Sequence, residues 1–396
     1  MSVPPEDAEG EEDGAAETGG DGEGPDPQME VFEERLKEAI DGMTQKSSKG
    51  RVDSLVAIMQ ALRAKLIPDF IFERHMTLCD GVERGLKKGK GPEQGASADL
   101  LVLILIQLGL CPEAENIFRS IQPVLLTLMA DSSASLLARA KVCTALGLVT
   151  FLAAEEKDET QASITTLAKV FSQAFLKGDG MPPAVTSEQG ALYASALSAW
   201  ALLITLLPAT AVFALLDLHL PELLACPELE VRVTCGETLA LCYEILREND
   251  EEFELECHSA LCSTLKELAT DSSKFRAKKE RKQQRSSFRE ILRTIQERES
   301  PCIRVRFGRE VLELDSWRRR LQYDNLCTLL GSGMNLHLSQ NELVRDIFNL
   351  GAPLPTNNLH AAHKVTKLER HLVHLAAFKA RTVSRSKFRD KRSVVL

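Results

Sequence analysis

Residues 138–146 read ARAKVCTAL, and residues 231–239 repeat the same pattern as VRVTCGETL. The segment ALSAW, at residues 196–200, stands at the equivalent place between them. Leucines at matching positions are separated by 41, 43, 51 and 42 residues: Leu62, Leu103, Leu146, Leu197 and Leu239. Because armadillo and HEAT repeats have periods of roughly 40 to 47 residues, this spacing predicts an α-solenoid. The longest step contains the turn at residues 178–183, a natural place for an insertion.

Apolar residues recur at helical spacing through residues 31–270, and no strand signal of comparable strength interrupts them. The composition agrees, because 44% hydrophobic and only 5% aromatic residues leave Leu and Ala as the main packing material. The predicted helices cover residues 31–45, 51–65, 69–84, 97–109, 113–129, 134–153, 159–176, 187–207, 209–224, 229–247 and 254–268. A solenoid presents an extended concave face to long partners, so we expect a binding protein and not an enzyme.

Charge is sorted by position along the chain, although the net charge is only −9. Residues 1–30 contain eleven Asp and Glu and no Lys or Arg, whereas residues 271–396 contain 27 basic and 13 acidic residues. The first segment has almost nothing to bury, so we expect a disordered acidic tail that either solubilises the protein or competes with a polyanion. The basic third creates a local field that can recruit a polyanion.

A membrane location is not expected. The uncharged stretch at residues 190–216 is long enough to cross a bilayer, but Pro208 divides it and no Lys/Arg cluster flanks it. The amino-terminal sequence has neither the charged start nor the apolar core of a signal peptide. The ten cysteines include no C-x-x-C pair, which favours a reducing compartment. We expect a cytoplasmic protein, with the nucleus as a second compartment.

Residues 271–298 are predicted to form one long basic helix with two faces. Phe288, Ile291, Leu292 and Ile295 form a packing stripe near its end. The opposite face carries cations at helical spacing, with Lys279 and Lys282 beside them: Lys274, Lys278, Arg281, Arg285 and Arg289. Such a face suits a polyphosphate, because each neutralised phosphate releases condensed counterions. A solvated helix without a ligand is the alternative.

Residues 299–355 are predicted to form a compact α+β module, which is near the lower size at which a domain folds alone. Apolar and polar residues alternate over residues 303–307 and again over 311–315, with Gly308 between them. This period of two, interrupted by a glycine, predicts a short β-hairpin.

Two helices are predicted after the hairpin. Asp315 or Ser316 is expected to cap a helix that begins near Trp317 and ends at the glycine pair in residues 331–333. The sequence SQNE at residues 339–342 has the form of a capping box, so we expect it to open the second helix.

Several motifs together resemble the interferon-related developmental regulator family: FREILR (288–293), IRVRFG (303–308), the segment around Trp317, LGSGMNLH (330–337), NELVR (341–345) and FNLG (348–351). The resemblance is specific over residues 272–355 and looser from about residue 50. It implies a eukaryotic armadillo-like protein without enzymatic activity. It also implies two roles, as a factor on translationally inactive ribosomes and as a nuclear transcriptional co-regulator.

The last 41 residues, 356–396, are predicted to form a basic amphipathic helix over residues 359–381 and a basic tail. The candidate RNA contacts here are Lys364, Lys367, Arg370, His371, Lys379, Arg381, Arg385 and Lys387. The family resemblance implies that a carboxyl-terminal helix blocks the ribosomal mRNA path, and we assign that role to residues 359–381. The neutral interpretation is a helix that packs its leucine face on the preceding module and continues into a frayed basic tail, and the two interpretations are compatible. A membrane-surface helix is less attractive, because the segment lacks Trp.

Other signals do not support chemistry. The histidine pairs at residues 360/363 and 371/374 have metal-like spacing, but Lys364 and Lys367 would repel a dication. The glycine-rich residues 85–91 lack the order of a phosphate-binding loop. We therefore expect no catalytic residues, metal, cofactor or small-molecule substrate.

Two functional hypotheses follow. In the first, the protein binds rRNA and ribosomal proteins, represses translation by occupying tRNA and mRNA sites, and excludes mRNA with its last helix. In the second, it is a nuclear scaffold whose concave face holds co-repressor proteins.

Overall fold

The computed structural model describes residues 27–216, 219–271 and 277–354. These residues are mostly helical, with one two-stranded sheet among them. The first eleven helices are α1 (Pro27–Gly42), α2 (Ser48–Ala64), α3 (Pro68–Lys88), α4 (Pro92–Leu108), α5 (Pro112–Ala130), α6 (Leu136–Ala153), α7 (Lys157–Phe171), α8 (Ser187–Ile204), α9 (Ala209–Leu215), α10 (Leu229–Arg247) and α11 (His258–Thr270). The remaining elements are α12 (Lys278–Leu292), β1 (Ile303–Phe307), β2 (Glu310–Leu314), α13 (Trp317–Leu330), α14 (Met334–Gln340) and α15 (Glu342–Ile347).

The helices α1–α12 form an α-solenoid in which alternate helices stack side by side. Helices α2, α4, α6, α8 and α10 contact one another in succession, and we call them the inner row. The repeat leucines lie one on each helix of this row, and all are fully buried: Leu62, Leu103, Leu146, Leu197 and Leu239. The predicted armadillo- or HEAT-like architecture is therefore confirmed, and the repeat spacing marks its continuous core.

The predicted helical segments between residues 31 and 268 each contain an observed helix. The segment 209–224 differs most, because α9 ends at Leu215 and a separate 3₁₀ segment covers Leu220–Ala225. Pro221 stands at the start of that segment, where its missing N–H does least harm to the hydrogen-bond ladder. The turn at residues 178–183 lies between α7 and α8, as the long repeat step indicates.

Small residues bring two inner-row helices close together. A Cβ atom on Gly147 of α6 would lie only 2.6 Å from the Cβ of Ala199 on α8, so nothing larger than glycine fits without a shift. Helix α6 is long enough and apolar enough to cross a membrane, but 67% of it is buried inside the protein. The uncharged stretch at residues 190–216 forms parts of α8 and α9, with Pro208 at the N-cap of α9.

All ten cysteines lie in described residues, and none forms a disulfide. Cys143, Cys235 and Cys242 lie on inner-row helices and are buried. Burial raises the pKa of Cys143 to about 12. These thiols therefore act as small hydrophobic side chains in the core.

The predicted hairpin is confirmed. Strands β1 and β2 are antiparallel, with Val305 opposite Leu312 and Arg306 opposite Val311. One side of the hairpin buries Phe307, Leu312 and Leu314, while the other side is exposed. The period-two alternation in the sequence therefore reports the two sides correctly.

The helices of the module begin and end at residues that only partly match the sequence analysis. The Ser316 hydroxyl accepts the Arg319 N–H at 3.2 Å and caps α13, which ends at Gly331 with a φ of 53°. The expected capping box at Ser339 is wrong. Helix α14 continues to Gln340, and Asn341 caps α15 by accepting the Val344 N–H at 3.0 Å. Ser339 instead donates its hydroxyl to a carbonyl within α14.

The carboxyl-terminal module lies across the inner row. Contacts run from α10 at the start of α13 to α2 beyond its end. Four hydrogen bonds fix this placement. The backbone N–H of Trp317 donates to the Glu244 carboxylate on α10 at 2.7 Å, and the Gln322 amide donates to the Thr205 hydroxyl after α8 at 3.2 Å. The Asn341 amide donates to the Ile106 carbonyl on α4 at 3.0 Å, and the His337 imidazole lies 3.3 Å from the Leu62 carbonyl on α2. The chain thus covers its own inner row.

Candidate nucleic-acid interface

Helix α12 presents five of the cations that the sequence analysis selected in this part of the chain. Lys278, Lys282 and Arg289 are exposed, and Arg281 and Arg285 are partly exposed. Together with the exposed Lys279 they make six Lys and Arg on a helix whose only acidic residues are Glu280 and Glu290. None of the six forms an ion pair with another described residue.

The opposite side of α12 is fixed to the solenoid. Phe288, Ile291 and Ile295 are fully buried, which confirms the predicted packing stripe. The buried Gln284 accepts a hydrogen bond from Arg232 on α10 at 2.9 Å and donates to Asp271 after α11 at 3.1 Å. The cations therefore stand on a helix that is held in place, which reduces the entropy lost when a ligand binds.

Helix α12 is shorter than the predicted segment 271–298. Asp271 and Ala277 are not helical, and residues 272–276 lie outside the described residues. At the other end the α-helix stops at Leu292 and a π-helical turn covers Arg293–Glu297. Arg298, the residue directly after this turn, has a left-handed conformation with a φ of 61°, and β1 follows it in the chain.

The π-helical turn is the joint between α12 and the module. Arg247 on α10 donates hydrogen bonds to the carbonyls of Thr294 and Ile295, at 3.1 and 2.9 Å. The Trp317 indole N–H donates to the Thr294 hydroxyl at 2.9 Å, and that hydroxyl donates to the Glu299 carbonyl at 2.7 Å. These bonds hold α12 and α13 in one arrangement. π-Helical turns of this kind are frequent at functional sites.

Most other described cations after α12 are neutralised by a carboxylate. The pairs are Arg293–Glu299, Arg298–Glu252, Arg304–Glu313, Arg318–Glu248, Arg319–Asp315, Arg320–Glu290 and Arg345–Glu310. Arg320 also lies 3.8 Å from Glu237. Burial raises the pKa of Glu237 to about 7, and Arg320 opposes that rise. Among the described residues from 278 onward, the unpaired cations are therefore concentrated on α12.

Two exposed hairpin cations share this property and were not selected from the sequence. Arg306 on β1 and Arg309 in the turn are exposed and form no ion pair within the described part of the chain. The sequence could have identified Arg306, because it alternates with the apolar Val305 and Phe307 and therefore lies on the outward side of the hairpin.

The remaining predicted site residues fall outside the described residues. They are Lys274, Lys364, Lys367, Arg370, His371, Lys379, Arg381, Arg385 and Lys387. The structure therefore brings together Lys278, Arg281, Lys282, Arg285 and Arg289 on one helix. The acidic segment up to residue 26 and the predicted last helix lie outside the described residues as well.

A depression at the other end of the solenoid has polar walls that include one ion pair, Arg51 with Glu93. Its volume is about 280 Å³, and it is lined by Thr44, Gln45, Arg51, Arg84, Lys88 and Glu93. The Arg51 guanidinium bonds to the Glu93 carboxylate at 2.8 Å and lowers the pKa of that carboxyl. No cluster of three or more His, Cys, Asp or Glu side chains suited to a metal ion occurs in residues 27–216, 219–271 and 277–354.

Comparison with known proteins identifies the family. The family "Interferon-related developmental regulator" matches residues 6–296, and the "Interferon-related protein conserved region" matches residues 341–393. The chain is 42% identical to mouse interferon-related developmental regulator 2 over 382 residues, which is 96% of this chain and 87% of the relative. It is 40% identical to human interferon-related developmental regulator 1 over 374 residues, which is 93% of this chain and 82% of the relative. On both grounds, this chain belongs to the interferon-related developmental regulator family.

Proposed function

We propose that this protein binds the ribosome and inhibits translation by occupying sites that tRNA and mRNA would use. The observation that carries the proposal is the set of six cations on α12 that lack carboxylate partners among the described residues, on a helix fixed by Gln284 and Phe288. An abundant polyanion is the natural partner of such a face. The phosphates of rRNA supply one.

Phosphate binding by α12 would be strongly salt-dependent. Each phosphate neutralised contributes roughly −0.7 to −0.9 to the slope of log affinity against log salt. Contacts from four of the six cations would give a slope near −3, by the same estimate. Binding should therefore weaken about 50-fold to 100-fold between 50 and 200 mM salt.

The second part of the proposal concerns mRNA. In the sequence, residues 359–381 combine an apolar face with cations, and a helix of this length would be roughly 35 Å long and 10 Å wide. A helix of that width suits a channel that holds single-stranded RNA. We propose that it competes with mRNA there, so that the protein acts by occlusion without catalysis.

The nuclear-scaffold hypothesis has less support. It needs an extended face for co-repressor proteins, and the inner row is the face that such arrays commonly offer. Here α13, α14 and the cap residue of α15 lie across that row, through bonds such as His337 to Leu62 and Asn341 to Ile106. A partner there would have to displace the module.

Co-sedimentation with purified eukaryotic ribosomes tests the proposal. The full-length protein should pellet with ribosomes at 50 mM salt and be released steeply as the salt concentration rises. It should also reduce the binding of a labelled unstructured mRNA, and a variant ending at residue 358 should bind ribosomes more weakly and leave mRNA binding intact. Full-length protein that stays in the supernatant at 50 mM salt would remove the ribosome hypothesis.

A further inference from the structure

The outward side of the β-hairpin is cationic and partly apolar. Arg304 and Arg306 are exposed there beside Val311, which is 47% exposed, and Arg309 is exposed in the turn between the strands. The inward side carries Phe307, Leu312 and Leu314, which are buried in the module. The hairpin thus has one side for packing and one side free within the described structure.

The strand register separates two kinds of arginine. Arg304 is directly opposite Glu313, and their side chains form an ion pair at 3.0 Å. Arg306 is directly opposite Val311, so its cross-strand neighbour carries no charge. Glu310, the acid at the start of β2, pairs with the buried Arg345 and is not directed to the outward arginines. Arg306 therefore lies beside an exposed valine and has no carboxylate partner among the described residues.

The hairpin is also held rigidly with respect to α12. Its apolar side packs into the module, and Glu310 receives two hydrogen bonds from Arg345 at 2.8 Å each. The joint at Thr294 and Trp317 links α12 to the module. Cations on α12 and on the hairpin are thus presented in a fixed relative position, which suits one large ligand better than two small ones.

We propose that Arg306, Arg309 and Val311 form a second RNA-binding element, in which the arginines bind phosphates and Val311 lies against ribose or base. This inference rests on the proposed function and extends it to a surface separate from α12. The outward side of the hairpin combines cations with an exposed apolar side chain, which favours RNA as the partner. RNA recognition combines phosphate contacts with contacts to sugars and unstacked bases.

The test uses full-length protein and purified ribosomes in a salt series. The variant R306Q/R309Q removes two unpaired cations, and the control R293Q/R304Q removes two exposed cations that already have carboxylate partners. We expect R306Q/R309Q to reduce the slope of log affinity against log salt by about 1.5 units and to weaken binding several-fold, while the control keeps the wild-type slope. Equal slopes and affinities for the two variants would overturn the inference.

Cross-linking identifies the partner of this surface. With the photoreactive residue p-benzoylphenylalanine in place of Val311, irradiation of the ribosome complex should join the protein to rRNA. Cross-links to ribosomal proteins alone would overturn the assignment to RNA. Failure of the hairpin is distinguishable from failure of the proposed function, because in the second case the wild-type protein does not bind ribosomes at all.

Discussion

The guanidinium of Arg345 donates hydrogen bonds to both carboxylate oxygens of Glu310, at 2.8 Å each. Arg345 is only 1% exposed, and its remaining donors bind the carbonyls of residues 338, 339 and 350–352. This one side chain therefore joins the hairpin to α15 and holds the turn after it.

Replacing Arg345 by methionine should destabilise the module strongly. The variant leaves the Glu310 carboxylate and several carbonyls without a donor, and breaking a buried pair on one side costs about 3–5 kcal/mol. The free energy of unfolding from denaturant titration measures the effect. Arg293→Met is the control, because its pair with Glu299 is exposed and little change is expected. Similar stabilities of the two variants would refute the role of Arg345 in joining the hairpin to α15.

Docking of the module on α2 should weaken as the pH falls. Burial lowers the pKa of His337 below its ordinary value near 6.5, so the folded state disfavours the protonated imidazole. The unfolded chain then binds more protons than the folded chain in the interval below 6.5. The stability that comes from the neutral His337 is fully present above pH 6.5 and is lost progressively as the pH falls below that value.

The pH effect is measured by comparing the wild type with His337→Gln, which does not titrate. Thermal midpoints between pH 5 and pH 7.5 should show the wild type losing stability relative to the variant as the pH falls below about 6.5. Parallel pH profiles for the two proteins would show that His337 does not titrate as its burial requires.

Gly333 should be essential for close docking of the module. A Cβ atom at this position would lie 2.2 Å from the Arg63 carbonyl oxygen of α2, and backbone cannot move away as a side chain does. We expect Gly333→Ala to destabilise the protein by about 1–3 kcal/mol and to accelerate hydrogen exchange in α14 and α15. The control is Gly178→Ala, where nothing lies within 4 Å. Unchanged exchange in Gly333→Ala would contradict the observed contact.

Local patterns in the sequence were sufficient to predict the solenoid and the hairpin. Buried leucines repeat with the period of the helix pairs, and the alternation around Arg306 reports which side of the hairpin packs. Both patterns depend on contacts between residues near in sequence or at a fixed repeat. The cap of α15 was predicted wrongly, because Ser339 and Asn341 are both good capping residues and only the length of α14 decides between them.

The position of the module could not be predicted. His337 and Leu62 are 275 residues apart, and no periodic pattern connects them. Docking depends on single groups that the sequence does not mark, such as the Leu62 carbonyl that the His337 imidazole contacts and the absence of a side chain at Gly333. For the same reason the sequence identified the cations of α12 but did not show which later arginines are neutralised.

The affinity of an α12 variant for purified ribosomes tests the central claim most directly. The variant K278Q/K282Q/R289Q removes three exposed, unpaired cations, and the control K37Q/K87Q/K141Q removes three solenoid lysines that are paired with Glu34, Glu83 and Asp99. At 100 mM salt we predict binding at least about tenfold weaker for the α12 variant, with a salt slope reduced by about two units, and wild-type behaviour for the control. Equal affinity and equal slope for the two variants would contradict ribosome binding through α12.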